Sequence, residues 1–133
     1  MPGRTRDMHY LLDTTFVIDH LRGVPNASRR LAQIAEVGDA IFVTEIVASE
    51  AWAGARTAED RSLAALLRFT EYVCPGPEQA KRAGRWRAEA RALGRTLSLP
   101  DALIAATADS LGAAVLTRNV RDFALTPVRV ETY

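Results

Sequence analysis

The sequence has little cysteine, little lysine and no long apolar run, and each shortage excludes a class of protein. Its 133 residues include one cysteine, Cys74, which excludes an intramolecular disulfide and a cysteine-based zinc site. The longest apolar runs fall far short of the ~20 residues that cross a bilayer. Lys81 is the one lysine, so arginine supplies nearly all the positive charge. The net charge of +1 indicates neither a nucleic-acid binder nor a membrane-surface protein.

The rest of the composition is that of a soluble globular protein, with 48% hydrophobic and 25% charged residues. At about 150 residues per domain, the length predicts one domain. We expect residues 1–7, which are polar, to form a flexible tail, and residues 8–133 to form the domain. No apolar stretch of signal-peptide length follows the tail, and a cytoplasmic location is therefore the default expectation.

Short apolar segments alternate with longer amphipathic ones along the chain. Strands are predicted over 10–12, 40–43, 114–117 and 128–130, with a weak one over 73–74. Helices are predicted over 16–21, from Asn26 to Val37, from Thr44 onward, and over 58–72, 78–93 and 98–111. This alternation predicts an α/β fold whose mostly parallel sheet is covered by helices on both faces.

Four carboxylates follow predicted strands or lie in helices near them. Asp13 ends the first strand, and Asp122 lies six residues after the strand that ends at Leu116. Glu50 lies in the helix after the second strand, in a segment that should be largely buried, and Asp101 lies in the first turn of a helix. Ligands of α/β sheets bind outside the carboxyl ends of the strands, where these acids would meet.

Converging carboxylates repel one another and need protons or a cation. Mg²⁺ and Mn²⁺ prefer oxygen ligands, and such a site is typical of metal-assisted phosphodiester hydrolysis. Each acid also has a structural alternative: Asp13 could cap a helix, Asp101 could form a capping box with Ser98, Glu50 could face solvent, and Asp122 could be a turn residue. The hypothesis depends on all four occurring together.

A predicted helix is strongly basic, with six basic residues and one acid between positions 81 and 95. Arg87, Arg91 and Arg95 recur every four residues and therefore share one face. That face could bind phosphates or an acidic partner segment, or it could simply be solvated, with Trp86 packed in the core. Arg118 and Arg121, beside the acids, could hold phosphates or belong to an ordinary polar turn.

Four segments resemble the motifs of the PIN-domain family. They are residues 11–19 (LLDTTFVID), Ser49-Glu50, residues 99–108 (LPDALIAATA) and residues 116–123 (LTRNVRDF). The single-domain length, together with matches from residue 11 to 123, is similar to the toxin half of VapBC toxin–antitoxin pairs. The resemblance implies a three-layer α/β/α fold with a central, mostly parallel sheet of about five strands.

The resemblance also implies roles for residues. Asp13, Glu50 and Asp101 match the acidic triad that binds Mg²⁺ or Mn²⁺ in this family. A further acid completes the site in many members, and either Asp122 or Asn119 takes that position here. Thr15 and Thr117 match hydroxyl positions that hydrogen-bond the acids.

The function implied is that of a bacterial, metal-dependent endoribonuclease toxin, neutralised by a cognate VapB-type antitoxin. Four arginines are the expected contacts of RNA or antitoxin: Arg87, Arg91, Arg118 and Arg121. A homodimer is expected, with contacts near the N-terminal helices and around Trp52. The alternatives are a PIN nuclease that processes RNA without being a toxin, and a catalytically silent PIN-like binding module, which Asn119 would favour.

Overall fold

Five short apolar segments form one sheet in the computed structural model, which describes residues 8–133. The strands are β1 (His9–Leu12), β2 (Ala40–Thr44), β3 (Glu71–Val73), β4 (Ala113–Leu116) and β5 (Val130–Glu131). Their order is β3-β2-β1-β4-β5, and every neighbouring pair is parallel. The predicted tail at residues 1–7 lies outside the described residues.

Six α-helices connect and cover the strands. They are α1 (Thr14–Leu21), α2 (Pro25–Val37), α3 (Glu45–Gly54), α4 (Asp60–Phe69), α5 (Pro77–Ala92) and α6 (Leu99–Leu111). Two 3₁₀ turns, Thr57–Glu59 and Val120–Phe123, complete the described elements. Consecutive residues of the inner strands, such as Leu11 and Leu12, are fully buried, which requires cover on both faces of the sheet. The predicted three-layer fold with about five mostly parallel strands is confirmed.

The central strand β1 sets the position of the site. It pairs with β2 on one side and with β4 on the other, where Leu12 stands opposite Leu116. The chain passes from β1 towards one edge of the sheet and later returns to the other side, so the strand order reverses between β1 and β4. Ligands of open α/β sheets bind at such a switch point, beyond the carboxyl ends of the strands. Asp13 and Thr117 directly follow the two strands there.

Three predicted elements need correction. The helix predicted over 58–72 is interrupted: a 3₁₀ turn precedes α4, α4 ends at Phe69, and residues 71–73 form β3 instead. Backbone pairing of β3 with β2 outweighs the helical pattern, and Phe69 at the end of α4 is 56% exposed. Helix α2 begins at Pro25 rather than after Asn26, since proline suits the first helical position. The last strand is Val130–Glu131.

Two clusters of buried side chains form the core. The larger surrounds the sheet, and the smaller joins α5 to α6. The smaller cluster is mostly alanine, which lets the two helices pack closely: Ala83, Ala90, Leu97, Ala102 and Ala106. Within residues 8–133, none of the helices combines the length and the apolar character that crossing a membrane requires.

Candidate active site

Asp13 is the carboxylate that the fold holds most firmly. Its backbone N–H donates to the carbonyl of Leu116 at 2.9 Å, which joins the ends of β1 and β4. The side chain is 4% exposed, and Oδ2 accepts hydrogen bonds from Thr117 Oγ1 at 2.8 Å and Thr15 Oγ1 at 3.2 Å. Asp13 occupies the N-cap position of α1, but its side chain makes no capping bond. These two hydrogen bonds therefore hold the carboxylate at the switch point, where β1 and β4 end.

Opposing effects act on the pKa of Asp13. The pKa is raised overall, mainly by burial and to a smaller extent by the charge of Glu50. Hydrogen bonds from the Thr117 side chain, the Thr14 backbone and the Thr15 side chain lower it. The two hydroxyls also accept hydrogen bonds from the loop after β4. The N–H of Arg118 donates to Thr15 Oγ1 at 3.2 Å, and the N–H of Asn119 donates to Thr117 Oγ1 at 2.9 Å. The loop is thereby tied to Asp13.

Glu50 approaches the same edge of the sheet from α3. Thr44 caps this helix by accepting the N–H of Val47, and the helix buries Val47, Ala48 and Ala51. Glu50 lies on the opposite, exposed side, so the expectation that it is largely buried is wrong. Its Oε1 accepts a hydrogen bond from Thr14 Oγ1 at 2.6 Å, which places it beside the residue that follows Asp13.

Asp101 lies in the first turn of α6, where Ser98 Oγ accepts its backbone N–H at 3.2 Å. The side chain is half-buried, and its pKa is raised to about 6. Burial is the largest cause, the hydrogen bond with Ser98 opposes it, and the charges of Asp122, Asp13 and Glu50 raise the pKa further. The structure therefore brings all four predicted acids within electrostatic reach of one position.

The donor set fits a hard divalent cation in its chemistry. Carboxylates and hydroxyls are oxygen donors. Burial is the main cause of the raised pKa of Asp101, and the repulsion from the other acids that adds to it would be relieved by a cation. Among the described residues, no three His, Cys, Asp or Glu side chains already form a group that could hold a metal ion. Mg²⁺ commonly keeps several waters and uses one or two carboxylates, an arrangement for which such separated acids suffice.

Asp19 is a buried carboxylate for which the sequence predicts no role. It lies in α1, is 6% exposed, and accepts hydrogen bonds from Arg118 Nη1 at 2.8 Å and Tyr133 Oη at 2.6 Å. The ring of Tyr133 packs edge-on against Phe16, with the ring centroids 4.8 Å apart. Burial and the neighbouring Asp19 raise the pKa of Tyr133, so its hydroxyl stays protonated and donates. We call Asp19, Arg118 and Tyr133 the rear clasp.

The arginines beside the site differ in their surroundings. The guanidinium of Arg118 pairs with Asp19, whereas Arg121 is exposed and forms no ion pair within residues 8–133. Both residues line an open cavity of about 390 Å³ with Asn119, Val120 and Asp122. Asp122 is exposed in the 3₁₀ turn after β4. The cavity therefore combines an unpaired arginine with one of the acids.

The basic helix is α5, which packs chiefly against α6. Trp86 is half-buried and packs against both core clusters, in agreement with the structural alternative for this residue. Arg87 is half-buried and Arg91 is exposed. Neither residue lies in the acidic group, by which we mean Asp13, Glu50, Asp101 and Asp122. Both lie on the half of α5 that leads to the start of α6.

Comparison with known proteins assigns the chain to a protein family. The family model of the PIN domain matches residues 10–127, and the chain belongs to the PIN domain family. Among its relatives, a Mycobacterium tuberculosis protein named Ribonuclease VapC19 is 38% identical over 117 residues, which cover 88% of this chain and 94% of that protein.

Solved structures show the same fold. A chain in the VapBC2 complex of Rickettsia felis, bound to a DNA fragment from its promoter, superposes with a TM-score of 0.83 at 22% identity, covering 95% of this chain and 99% of that one. A chain in a toxin–antitoxin complex from Klebsiella pneumoniae has a TM-score of 0.75 at 29% identity, covering 92% and 96%. The resemblance to the PIN family read from the sequence is confirmed.

Proposed function

We propose that the protein is a metal-dependent endoribonuclease that acts as the toxin of a type II toxin–antitoxin system. The observation that carries the proposal is the placement of four carboxylates within electrostatic reach of one another at the switch point of a PIN-family sheet, where burial and then the charges of the other three acids raise the pKa of Asp101. Its relative at 38% identity is named a VapC ribonuclease, and structural neighbours are toxin–antitoxin complexes. A cognate VapB-type antitoxin is the proposed partner that neutralises it.

In this proposal Asp13, Glu50 and Asp101 hold Mg²⁺ or Mn²⁺. When bound, such an ion would polarise the phosphate of the substrate and lower the pKa of a water molecule. Thr15 and Thr117 keep Asp13 oriented as an acceptor by donating to Oδ2. Glu50 or Asp101 is the proposed acceptor of the attacking water's proton.

Asp122 is the better candidate than Asn119 for the fourth polar group. The charge of Asp122 raises the pKa of Asp101, which indicates that the two side chains share one region of space. Asn119 instead uses its backbone N–H to orient the hydroxyl of Thr117. We assign Asp122 to the acidic group and Asn119 to its support.

RNA and protein partners require surfaces beside the acids. Arg121 is free of ion pairs within the described part of the chain and lies next to Asp122, a suitable position for an RNA phosphate or an acidic antitoxin residue. Arg118 would contribute through the face of its guanidinium that Asp19 leaves exposed. Trp52, 43% exposed on α3, is the proposed contact of a homodimer.

The test is cleavage of labelled total RNA by the purified protein in Mg²⁺, in Mn²⁺ and in EDTA. Wild-type protein is compared with Asp13→Asn and Asp101→Asn, and with Asp109→Asn, which changes an aspartate at the opposite end of α6. We expect discrete fragments that require metal, and a loss of at least about 100-fold in the two site variants only.

Cutting that survives EDTA or both site substitutions would contradict the proposed site. Absence of cutting by folded protein would contradict the nuclease. Calorimetry with Mn²⁺ on the same samples would then test the silent binding module, which should still bind the ion.

A further inference from the structure

A second region of the molecule concentrates positive charge without any neutralising acid. Arg87, Arg91 and Arg95 line a hollow of about 80 Å³ together with Thr96 and Leu97, and no carboxylate lines it. Within residues 8–133, none of the three arginines forms an ion pair. We call this region the arginine hollow.

The hollow is built by the junction between α5 and α6. The chain turns at Gly94, which has a φ of 70°, and the N–H of Arg95 returns to the carbonyl of Ala90 at 2.9 Å. Leu97 is 4% exposed and anchors the connection in the core between the helices. Arg87 Nε donates to the carbonyl of Leu97 at 3.1 Å, so one guanidinium is fixed against the wall of the hollow.

The junction also places the hollow relative to the acids. Leu97 precedes Ser98, which caps α6, and Asp101 lies in the first turn of that helix. The hollow therefore lies at the same end of α6 as the acidic group. The opposite end of α6 carries Asp109, which pairs with Arg82 on the first half of α5.

A larger cavity along another face of α5 has a different charge balance. It has a volume of about 540 Å³ and is lined by three cations and three acids, besides Trp86 and Pro127. The charged residues are Glu78, Lys81, Arg82, Arg85, Glu89 and Asp109. Because these charges cancel, the large cavity offers an anion little attraction, whereas the small hollow offers three cations.

We propose that the arginine hollow binds a backbone phosphate of the RNA strand, away from the phosphate that is cut. This inference rests on the proposed function, since it assumes that RNA lies across the acidic group. Guanidinium groups present paired donors that match phosphate oxygens, and no carboxylate in the hollow competes for them. A concavity of this size suits a single tetrahedral anion better than the extended apolar and polar contacts of a protein segment.

The test compares RNA binding by two double variants in and just after α5. Arg91→Gln with Arg95→Gln removes two charges from the hollow, and Lys81→Gln with Arg85→Gln removes two charges from the lining of the larger cavity. All four side chains are exposed and lack ion pairs within the described residues, so folding should be unaffected. Binding of a labelled single-stranded oligouridine is followed by fluorescence anisotropy in EDTA over a salt series.

We expect the hollow variant to bind on the order of tenfold more weakly, while the control variant binds like the wild type. The slope of log affinity against log salt should fall by about 0.7 for each phosphate that the variant no longer neutralises. Equal affinities for the two variants would overturn the proposal. So would a short labelled oligoglutamate peptide that loses affinity for the hollow variant while RNA does not, because that result assigns the hollow to a protein partner.

Cleavage separates this inference from the proposed function. If the wild-type protein binds oligouridine through the hollow but cuts no RNA, the proposed nuclease activity is contradicted and the phosphate site is supported. If the wild-type protein cuts RNA but the Arg91→Gln/Arg95→Gln variant binds oligouridine with unchanged affinity, the phosphate site is contradicted and the nuclease activity is supported.

Discussion

The acids of this region fall into two sets that are held in different ways: a buried pair, called the rear, and a more exposed set at the surface, called the rim. At the rear, Asp13 and Asp19 are almost fully buried, and each accepts two hydrogen bonds from side chains distant in sequence or adjacent in α1. At the rim, Glu50 and Asp122 are exposed and Asp101 is half-buried with a raised pKa. The rear is fixed by the fold before any ligand arrives, and the rim is left to be organised by what binds.

This difference has a physical basis. Buried carboxylates must be hydrogen-bonded or paired, so the rear contributes order to the fold as well as to the site. Carboxylates on the rim repel one another at some expense to stability, which the fold tolerates because solvent screens them. A cation bound by the rim carboxylates would also contact Asp13, whose position is already fixed by hydrogen bonds.

The largest expected effect comes from breaking the rear. Asp19→Asn removes the charge that holds Arg118 and Tyr133, and we expect the free energy of unfolding to fall by about 2 kcal/mol. Glu50→Gln makes the same chemical change on the rim and should leave stability within about 0.5 kcal/mol of the wild type. Urea unfolding at pH 7 in EDTA measures both. Equal losses would show that rear and rim do not differ as described.

A smaller effect is expected from Thr117→Val, which removes a hydroxyl donor to Asp13. Because this hydrogen bond favours the ionised carboxylate, its loss should destabilise the protein by about 1.5 kcal/mol at pH 7. The loss should shrink as the pH falls and Asp13 becomes protonated in both proteins. Thr107→Val is the matched control, since Thr107 is equally buried but donates to the carbonyl of Leu103. A loss for Thr117→Val that does not vary with pH would contradict the role given to this hydroxyl.

The smallest effect has the opposite sign. The pKa of Asp101 is raised in the folded protein, so its carboxyl destabilises the fold increasingly as the pH rises from its ordinary pKa of 3.8 to about 6, and by a constant amount above that; below 3.8 it is protonated in both states. Asp101→Asn should therefore stabilise the metal-free protein by about 1 kcal/mol at pH 7.5, after allowance for screening of a half-exposed group. The gain should fade by pH 4. Thermal unfolding in EDTA across this range checks it, and a destabilised variant at pH 7.5 would refute it.

Much of the fold could be predicted because its determinants are local. Apolar segments of strand length, turn residues and helix caps such as Ser98 and Gly112 are visible in sequence, and parallel topology then places Asp13 and Thr117 at neighbouring strand ends. The elements carrying Glu50 and Asp101 followed from the same pattern. The exposure of Glu50 did not, because three buried positions of α3 turn its face outward.

The rest depends on contacts that local pattern does not reveal. Asp19 lies in a helix of ordinary appearance, and its partners Arg118 and Tyr133 are 99 and 114 residues away. No spacing rule connects them, so the sequence does not predict the rear clasp, and it assigns Arg118 to ligand binding or to a polar turn. Strand β3 is displaced for a similar reason, since its identity comes from pairing with β2.

The hydrogen bond between Asp13 and Thr117 spans 104 residues. During synthesis, β1 emerges from the ribosome early, but the strand that pairs with its other side and the hydroxyl that orients Asp13 emerge last among these parts. At about 5–20 residues per second, the interval is on the order of ten seconds. Throughout that time the growing chain carries Asp13 and Glu50 without the strand and the hydroxyl that hold Asp13, so the site is assembled only after translation has delivered β4.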